Sequence, residues 1–159
     1  MNRSVVVVAI LTLLFIAMPQ SCKKDPNGGI DVAGIETGVY NKIKAFRESN
    51  GVTGAFNQSY LFNTEVESIS YEMRSSGAIL GTERVNTYIV DLRDKVGSFN
   101  EQILMQITPD DTYETIAANW TADESLKEIL LGEYTQCAVG IEFDDDGMSY
   151  VAMILCAIP

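Results

Sequence analysis

Apolar side chains recur every three or four residues in five stretches of the chain, and this spacing predicts amphipathic helices. The first stretch follows Asp31, carries Val39 and Ile43 on one stripe, and ends at Asn50 and Gly51. Asparagine and glycine are typical of a helix C-terminus. The other helices are predicted over residues 60–75, over residues 83–95, from Pro109 through Trp120, and over residues 123–131.

The C-terminal segment of the chain has the pattern of a β-hairpin. Residues 138–143 and 149–158 are rich in β-forming side chains and flank Asp146 and Gly147, a pair favoured in two-residue type I′ turns. With that turn, Cys137 lies opposite Cys156, and an oxidising compartment would join the two as a disulfide. The alternatives are two small buried thiols, or a β-bulge that shifts the pairing.

Both faces of this hairpin are apolar, with Val139, Ile141, Phe143, Ala152 and Ile154 expected on one side and Val151, Met153 and Leu155 on the other. A strand that is buried on both faces needs a layer of structure above and below it. A further strand is predicted over residues 99–108, and the helices around it supply the layers. The predicted fold is α+β: a three-layer α-β-α sandwich whose central sheet contains the C-terminal antiparallel hairpin.

The N-terminus has the pattern of an export signal. Arg3 precedes an apolar run over residues 5–18, which is shorter than the roughly 20 residues that cross a bilayer. Ser21 and Cys22, followed by two lysines, resemble a bacterial lipobox, in which the cysteine is acylated and becomes the first residue of the mature chain. Pro19 and Gln20 depart from the usual residues at that motif.

Three segments follow from this interpretation. Residues 1–21 are expected to be a signal peptide, residues 22–30 a lipid-anchored tether with a flexible glycine pair, and residues 31–159 one domain. The predicted location is the cell envelope, on the outer membrane, facing either the periplasm or the surface. The membrane is then a partner through the lipid on Cys22.

Charge and composition exclude several kinds of function. The chain has 22 acidic and 11 basic residues, a net charge of −11, so nucleic acid is not an expected partner. We attribute the acidity to solubility. Histidine is absent from the whole sequence, which removes Ser-His-Asp and Cys-His catalysis and histidine-ligated zinc.

Several short motifs, taken in order, resemble the CAP superfamily (cysteine-rich secretory, antigen 5 and pathogenesis-related proteins) in its short bacterial form. They are Phe46 and Arg47 followed by Gly51 and Val52, Glu101 with Gln102, Trp120 with Asp123, Ile129 with Leu130, and Val139-Gly140-Ile141 with Tyr150. Each one alone is common in unrelated folds. The resemblance runs from about Val39 to the C-terminus and implies an α-β-α sandwich with a cleft.

The resemblance also implies which residues would line that cleft. Many family members carry two histidines and two acids there, a set able to bind a divalent metal. By spacing, the acids are Glu101 and Asp123, the histidine positions hold Leu80 and Leu126, and Gln102 keeps the amide of the family's asparagine. Leucine neither ligates a metal nor moves a proton, so no metal and no cofactor are expected.

The favoured interpretation is therefore an envelope-tethered, non-enzymatic CAP-like module that binds a partner protein or a small apolar or glycan ligand. One alternative is a divergent hydrolase in which Glu101 and Asp123 act as an acid–base pair. Another is a purely structural envelope lipoprotein. Four aromatic residues are spaced as helix core residues, although they could instead line an apolar ligand groove: Tyr60, Phe62, Tyr71 and Tyr88.

Overall fold

The computed structural model describes residues 29–96, 100–109 and 112–158. The predicted signal peptide, Cys22 and most of the predicted tether lie outside these residues, as do Phe99, Asp110 and Asp111. No helix among the described residues is long and apolar enough to cross a membrane.

The described residues form five helices: α1 (Val32–Ser49), α2 (Asn63–Ser76), α3 (Thr82–Val96), α4 (Tyr113–Ala122) and α5 (Glu124–Leu130). Capping residues begin and end these helices largely as the sequence predicts. The Asp31 side chain accepts a hydrogen bond from the Gly34 amide at the start of α1, and Gly77, with a φ of 66°, closes α2. Helix α4 starts later than expected, because Thr112 rather than Pro109 caps it.

Four strands form one mixed sheet: β1 (Asn57–Gln58), β2 (Asn100–Thr108), β3 (Gln136–Phe143) and β4 (Ser149–Ala157), in the order β1-β3-β4-β2. β1 runs parallel to β3, and the other pairings are antiparallel. β1 is too short for a sequence pattern to reveal it.

The two faces of the sheet are covered by different helices. On the face that we call the α1 side, Val39, Ile116, Trp120 and Leu130 pack against the strands. On the other face, the α2 side, Val66, Ile69, Met73 and Leu92 do so. Every buried residue of both clusters lies between residues 35 and 156. The predicted three-layer α-β-α sandwich is confirmed.

The hairpin turn differs from the predicted one. A type I′ turn needs a positive φ at both central residues, whereas Gly147 has a φ of 83° and no described non-glycine residue has a positive φ. The Gly147 amide donates to the Asp144 carbonyl at 3.2 Å and the Asp144 amide to the Met148 carbonyl at 3.1 Å. Residues 145–147 therefore form a three-residue loop with its bulge at the glycine, and the prediction of a two-residue turn is wrong.

This one extra loop residue changes the pairing of the cysteines. Cys137 pairs with Leu155, while Cys156 pairs with Gln136. Because neighbouring strand residues point to opposite faces, Cys137 lies on the α1 side and Cys156 on the α2 side. Both are free thiols, so the predicted disulfide is wrong and the alternative of two buried thiols is confirmed. Burial raises the pKa of each to about 12, which keeps them protonated and unreactive.

The same shift reassigns the apolar positions of the hairpin. Val139 and Ile141 share the α1 side with Val151, Met153 and Leu155, and Ala152 and Ile154 lie on the α2 side. The predicted grouping of Ala152 and Ile154 with Val139 is therefore also wrong. Both faces are nevertheless buried, as predicted, which is why the fold class survives the register error.

Candidate functional site

The five residues expected to line a family-type cleft are divided between the two sides of the sheet. Leu80 packs against the cluster on the α2 side, and Leu126 packs against the cluster on the α1 side. Glu101 pairs across the strands with Cys156 and so faces the α2 side, whereas the exposed Gln102 faces the other way. The structure does not bring these residues together.

The two acids proposed as a catalytic pair each have a structural role. Glu101 is buried and forms an ion pair with Arg93 of α3, which fastens that helix to β2. Asp123 is exposed and caps α5, where its Oδ1 accepts hydrogen bonds from the amides of Ser125 at 2.9 Å and Leu126 at 3.2 Å. A bond from the Ser125 hydroxyl, together with these two amide bonds, lowers the pKa of Asp123. Neither acid is placed to act on the same bond as the other.

A groove of about 540 Å³ lies elsewhere, on the outer surface of α2 where it meets the start of α3 and the end of β3. We call it the α2–α3 groove. Its lining residues are Thr64, Glu67, Ser68, Tyr71, Glu72, Ser75, Arg84, Tyr88 and Glu142. Within the described residues, no group of three or more acids and cysteines is arranged to hold a metal ion.

The periodicity of α2 explains why these side chains share one surface. Val66, Ile69 and Met73 form the stripe that packs on the sheet, so Glu67, Ser68, Tyr71 and Glu72 on the other side of the helix line the groove. Tyr71 is the exception to this polar surface, since it is a large side chain with 58% of its area exposed.

An ordered network forms the wall between α2 and α3. Arg84 donates from Nε to both carboxylate oxygens of Glu72, at 2.9 and 2.8 Å, and the Tyr88 hydroxyl donates to Glu72 Oε2 at 2.8 Å. The Arg84 guanidinium also lies 4.7 Å from the centre of the Tyr88 ring. Burial raises the pKa of Tyr88, and so do its bond to Glu72 and that carboxylate's charge. These contacts hold the wall in one conformation.

The opposite wall is acidic. Glu142 of β3 forms an ion pair with Arg74 at 3.5 Å, and Glu67 lies beside it in the groove. Behind both, Glu36 of α1 accepts a hydrogen bond from the Ile141 amide at 3.2 Å. Desolvation raises the pKa of Glu36 to about 7, and the negative charges of Glu67 and Glu142 add to this shift. The groove therefore presents a negative surface.

The raised pKa of Glu36 predicts a pH-dependent stability. Its folded-state value lies above the ordinary 4.5, so its contribution is complete below pH 4.5 and is lost as the pH rises through 7. Glu36→Gln keeps an acceptor for Ile141 without the charge. Glu36 is only partly buried, so solvent screening reduces the effect. We expect the stability of the variant relative to the wild type to increase by roughly 1–2 kcal/mol from pH 5 to pH 8, measured by urea unfolding. Glu48→Gln, at an exposed site of the same helix, is the control and should show no such gain.

The sequence contained a partial signal for this groove. Tyr71 and Tyr88, considered as groove residues or core residues, both line it, while Phe62 is fully buried and Tyr60 is 80% exposed outside it. No sequence pattern indicated that Arg84 and Glu142 would line a groove. They reach the groove only because α3 and β3 pack beside α2.

Comparisons with known proteins add a likeness of fold. No protein-family model matches the chain, and no curated protein matches it in sequence. The solved structure of an outer surface protein from Borrelia burgdorferi superposes with a TM-score of 0.70 at 13% identity, over 82% of this chain and 97% of that one. The chain thus shares its α+β fold with that outer surface protein.

Proposed function

We propose that this chain is a non-enzymatic binding module of the cell envelope, with a CAP-like fold, that takes a neutral glycan in the α2–α3 groove. One observation carries the ligand class. The half-exposed ring of Tyr71 stands among hydroxyl and carboxylate side chains in a groove of about 540 Å³.

The chemistry of the lining suits a sugar. An aromatic ring offers an apolar face to the C–H side of a pyranose. Thr64 supplies a hydroxyl, and the Ser68 and Ser75 hydroxyls, which donate to the carbonyls of Thr64 and Tyr71, have oxygens that can accept from a sugar. Carboxylates accept strongly from sugar hydroxyls. The combination of an aromatic surface with a few fixed polar groups is typical of small-ligand sites.

The charge of the groove limits the class of ligand further. Glu72 is neutralised by Arg84, and Glu142 is partnered by Arg74, whereas Glu67 adds an exposed negative charge. A phosphate or a uronic acid would be repelled by this surface. The hydrolase alternative is not supported by the geometry, since Glu101 and Asp123 lie on different sides of the sheet.

Tyr71→Ala tests the binding site. We expect titration calorimetry with neutral hexasaccharides built on glucose, mannose or N-acetylglucosamine to show at least one binder, with the affinity about tenfold weaker in the variant. That ratio corresponds to about 1.4 kcal/mol, within the range of a lost aromatic contact. Folding should be unaffected because the ring is largely exposed.

Tyr60→Ala is the matched control, since this tyrosine is 80% exposed and does not line the groove. Its affinity should equal that of the wild type. The proposal fails if none of the three oligosaccharides binds, or if both tyrosine variants lose affinity to the same extent.

The envelope location is the second part of the proposal. It is supported by the apolar run over residues 5–18 and the lipobox-like Cys22. It is also supported by the similar solved structure, which is that of an outer surface protein. A single acyl chain binds membranes weakly, so stable anchoring requires the multiple chains of a modified N-terminal cysteine.

Cys22→Ser tests the tether. In a bacterial host, labelled palmitate is expected to be incorporated into the wild-type chain and not into the variant, which should leave the membrane fraction. Cys137→Ser removes a buried thiol instead and should leave both the labelling and the fractionation unchanged. Equal labelling of the wild type and Cys22→Ser would contradict a lipid on this residue.

A further inference from the structure

Within the described residues, the sheet has two outer edges that differ: β3 beyond the two-residue β1 on one side, and β2 on the other. At the β3 edge, the Ile141 amide donates to the Glu36 carboxylate of α1, so a side chain already occupies this backbone donor. A strand that added at this edge would have to displace Glu36 from the Ile141 amide.

The β2 edge is different. β2 is last in the strand order and pairs with β4 along its whole length, from Asn100 opposite Ala157 to Thr108 opposite Ser149, without a bulge. Nothing in the described part of the chain adds a strand to its outer side. Exposed edges usually carry charges, prolines or bulges that prevent pairing, and residues 102–108 contain none of these.

The middle of β2 also presents groups that lack a partner. Ile103, Met105 and Ile107 are only partly buried, on the α2 side. On the other side, both the Nε2 and the Oε1 atoms of the Gln106 amide are buried without a hydrogen-bond partner. Burying an amide without hydrogen bonds costs free energy. A donor or acceptor from a second chain would remove that cost.

We infer that the β2 edges of two copies of this chain pair antiparallel around Leu104, which joins the two sheets into one. In this register, Gln102 of one copy lies opposite Gln106 of the other. Gln102 is exposed in the single chain and has a free amide to offer. Ile103 lies opposite Met105 of the second copy, so apolar side chains meet on the α2 side.

The sequence of β2 argues for a second copy rather than another protein. A two-fold interface requires one patch to be complementary to itself. Reading outward from Leu104 in either direction gives first an apolar residue, Ile103 or Met105, and then an amide, Gln102 or Gln106. The central five residues carry no charge, so no like charges lie directly opposite each other within them.

Sedimentation equilibrium on residues 29–159 tests the inference. This segment contains both core clusters complete and lacks the apolar N-terminal run. We expect a dimer for the wild type and at least a tenfold weaker dimer for Gln102→Glu, which places a carboxylate beside an uncharged amide twice per interface. Asn86→Asp, an equal charge change at an exposed site of α3, should dimerise like the wild type.

A cross-link tests the register. Gln102→Cys combined with Gln106→Cys should form disulfides between chains on oxidation, while Gln102→Cys alone should not, because residue 102 of one copy faces residue 106 of the other. A wild type that stays monomeric at 100 µM overturns the inference. So does a dimer that Gln102→Glu leaves intact, or one that Gln102→Cys alone cross-links. None of these outcomes bears on glycan binding, since the α2–α3 groove does not include β2.

Discussion

Replacing Arg47 with alanine is expected to lower the free energy of unfolding by about 4 kcal/mol, since hydrogen bonds from a charged donor contribute about 1.5–3 kcal/mol each. Arg47 lies in α1 with only 2% of its surface exposed. Its guanidinium donates to the carbonyls of Leu130, Gly132 and Tyr134. All three acceptors belong to the end of α5 and the turn that leads into β3.

The loss would be large because a buried charged donor is removed from three carbonyls at once. Within the described residues, only the Gly132 carbonyl of the three accepts from a second donor, the Tyr134 amide at 3.0 Å. Alanine also removes the packing of the guanidinium 4.3 Å from the Phe56 ring centre. Burial lowers the pKa of Arg47, yet an arginine stays charged at any physiological pH. The residue therefore joins α1 to the chain segment that delivers β3 to the sheet.

Two further variants serve as comparisons for Arg47→Ala. Lys42→Ala removes an exposed cation 5.7 Å from the Tyr113 ring centre on the same helix and should cost below about 1 kcal/mol. Arg47→Lys keeps the charge but not the three-way donor geometry, so it should fall between the two. Urea unfolding followed by circular dichroism measures all three. A cost for Arg47→Ala no larger than that for Lys42→Ala would show that the three bonds do not stabilise the fold.

Replacing Gly140 with alanine is expected to cost about 3 kcal/mol, the upper range for overpacking a rigid site. The added Cβ would be 2.8 Å from the carbonyl carbon and oxygen of Val66 and 3.0 Å from the Glu67 amide nitrogen. These are backbone atoms of α2, which cannot rotate away as the end of a side chain would. The helix must move off β3, and the hydrogen bond from Ser70 to the Gly140 carbonyl stretches with it.

This movement should also reach the groove, because Glu67 and Ser68 follow Val66 directly on α2. We therefore expect Gly140→Ala to weaken hexasaccharide binding in addition to lowering the thermal unfolding temperature. Gly54→Ala is the control, since a Cβ there meets nothing within 4 Å. If Gly140→Ala and Gly54→Ala unfold at the same temperature, the close packing of α2 on β3 does not contribute to the stability of the fold.

Local signals in the sequence were sufficient for the helices. Gly77 ends α2 and Asp123 begins α5 because a left-handed glycine and a capping carboxylate act on the nearest turn of backbone. The three-layer architecture followed from the same kind of information, since two apolar faces on one hairpin require cover on both sides. The signal peptide, the lipid on Cys22 and the division into segments stay predictions, as these residues lie outside the described part of the chain.

Those local signals could not predict how distant segments of the chain pair. The sequence could not distinguish a two-residue from a three-residue loop at Asp145 to Gly147, and that single residue moved Cys137 and Cys156 to opposite faces. The family-type cleft depended on α3 and α5 approaching from the same side of the sheet, and they pack on different sides. The α2–α3 groove likewise exists only because residues 67, 84 and 142 converge after folding.

By itself, then, the sequence determined the helices, the three longer strands and the two-sided burial of the sheet, because each depends on the spacing of side chains over a short stretch of chain. The tertiary structure alone decided the strand register, the free thiols, the buried Arg47 and the polar groove. These depend on which segments meet in space, and the contacts that settle them join residues up to about a hundred positions apart, as Glu36 and Ile141 do.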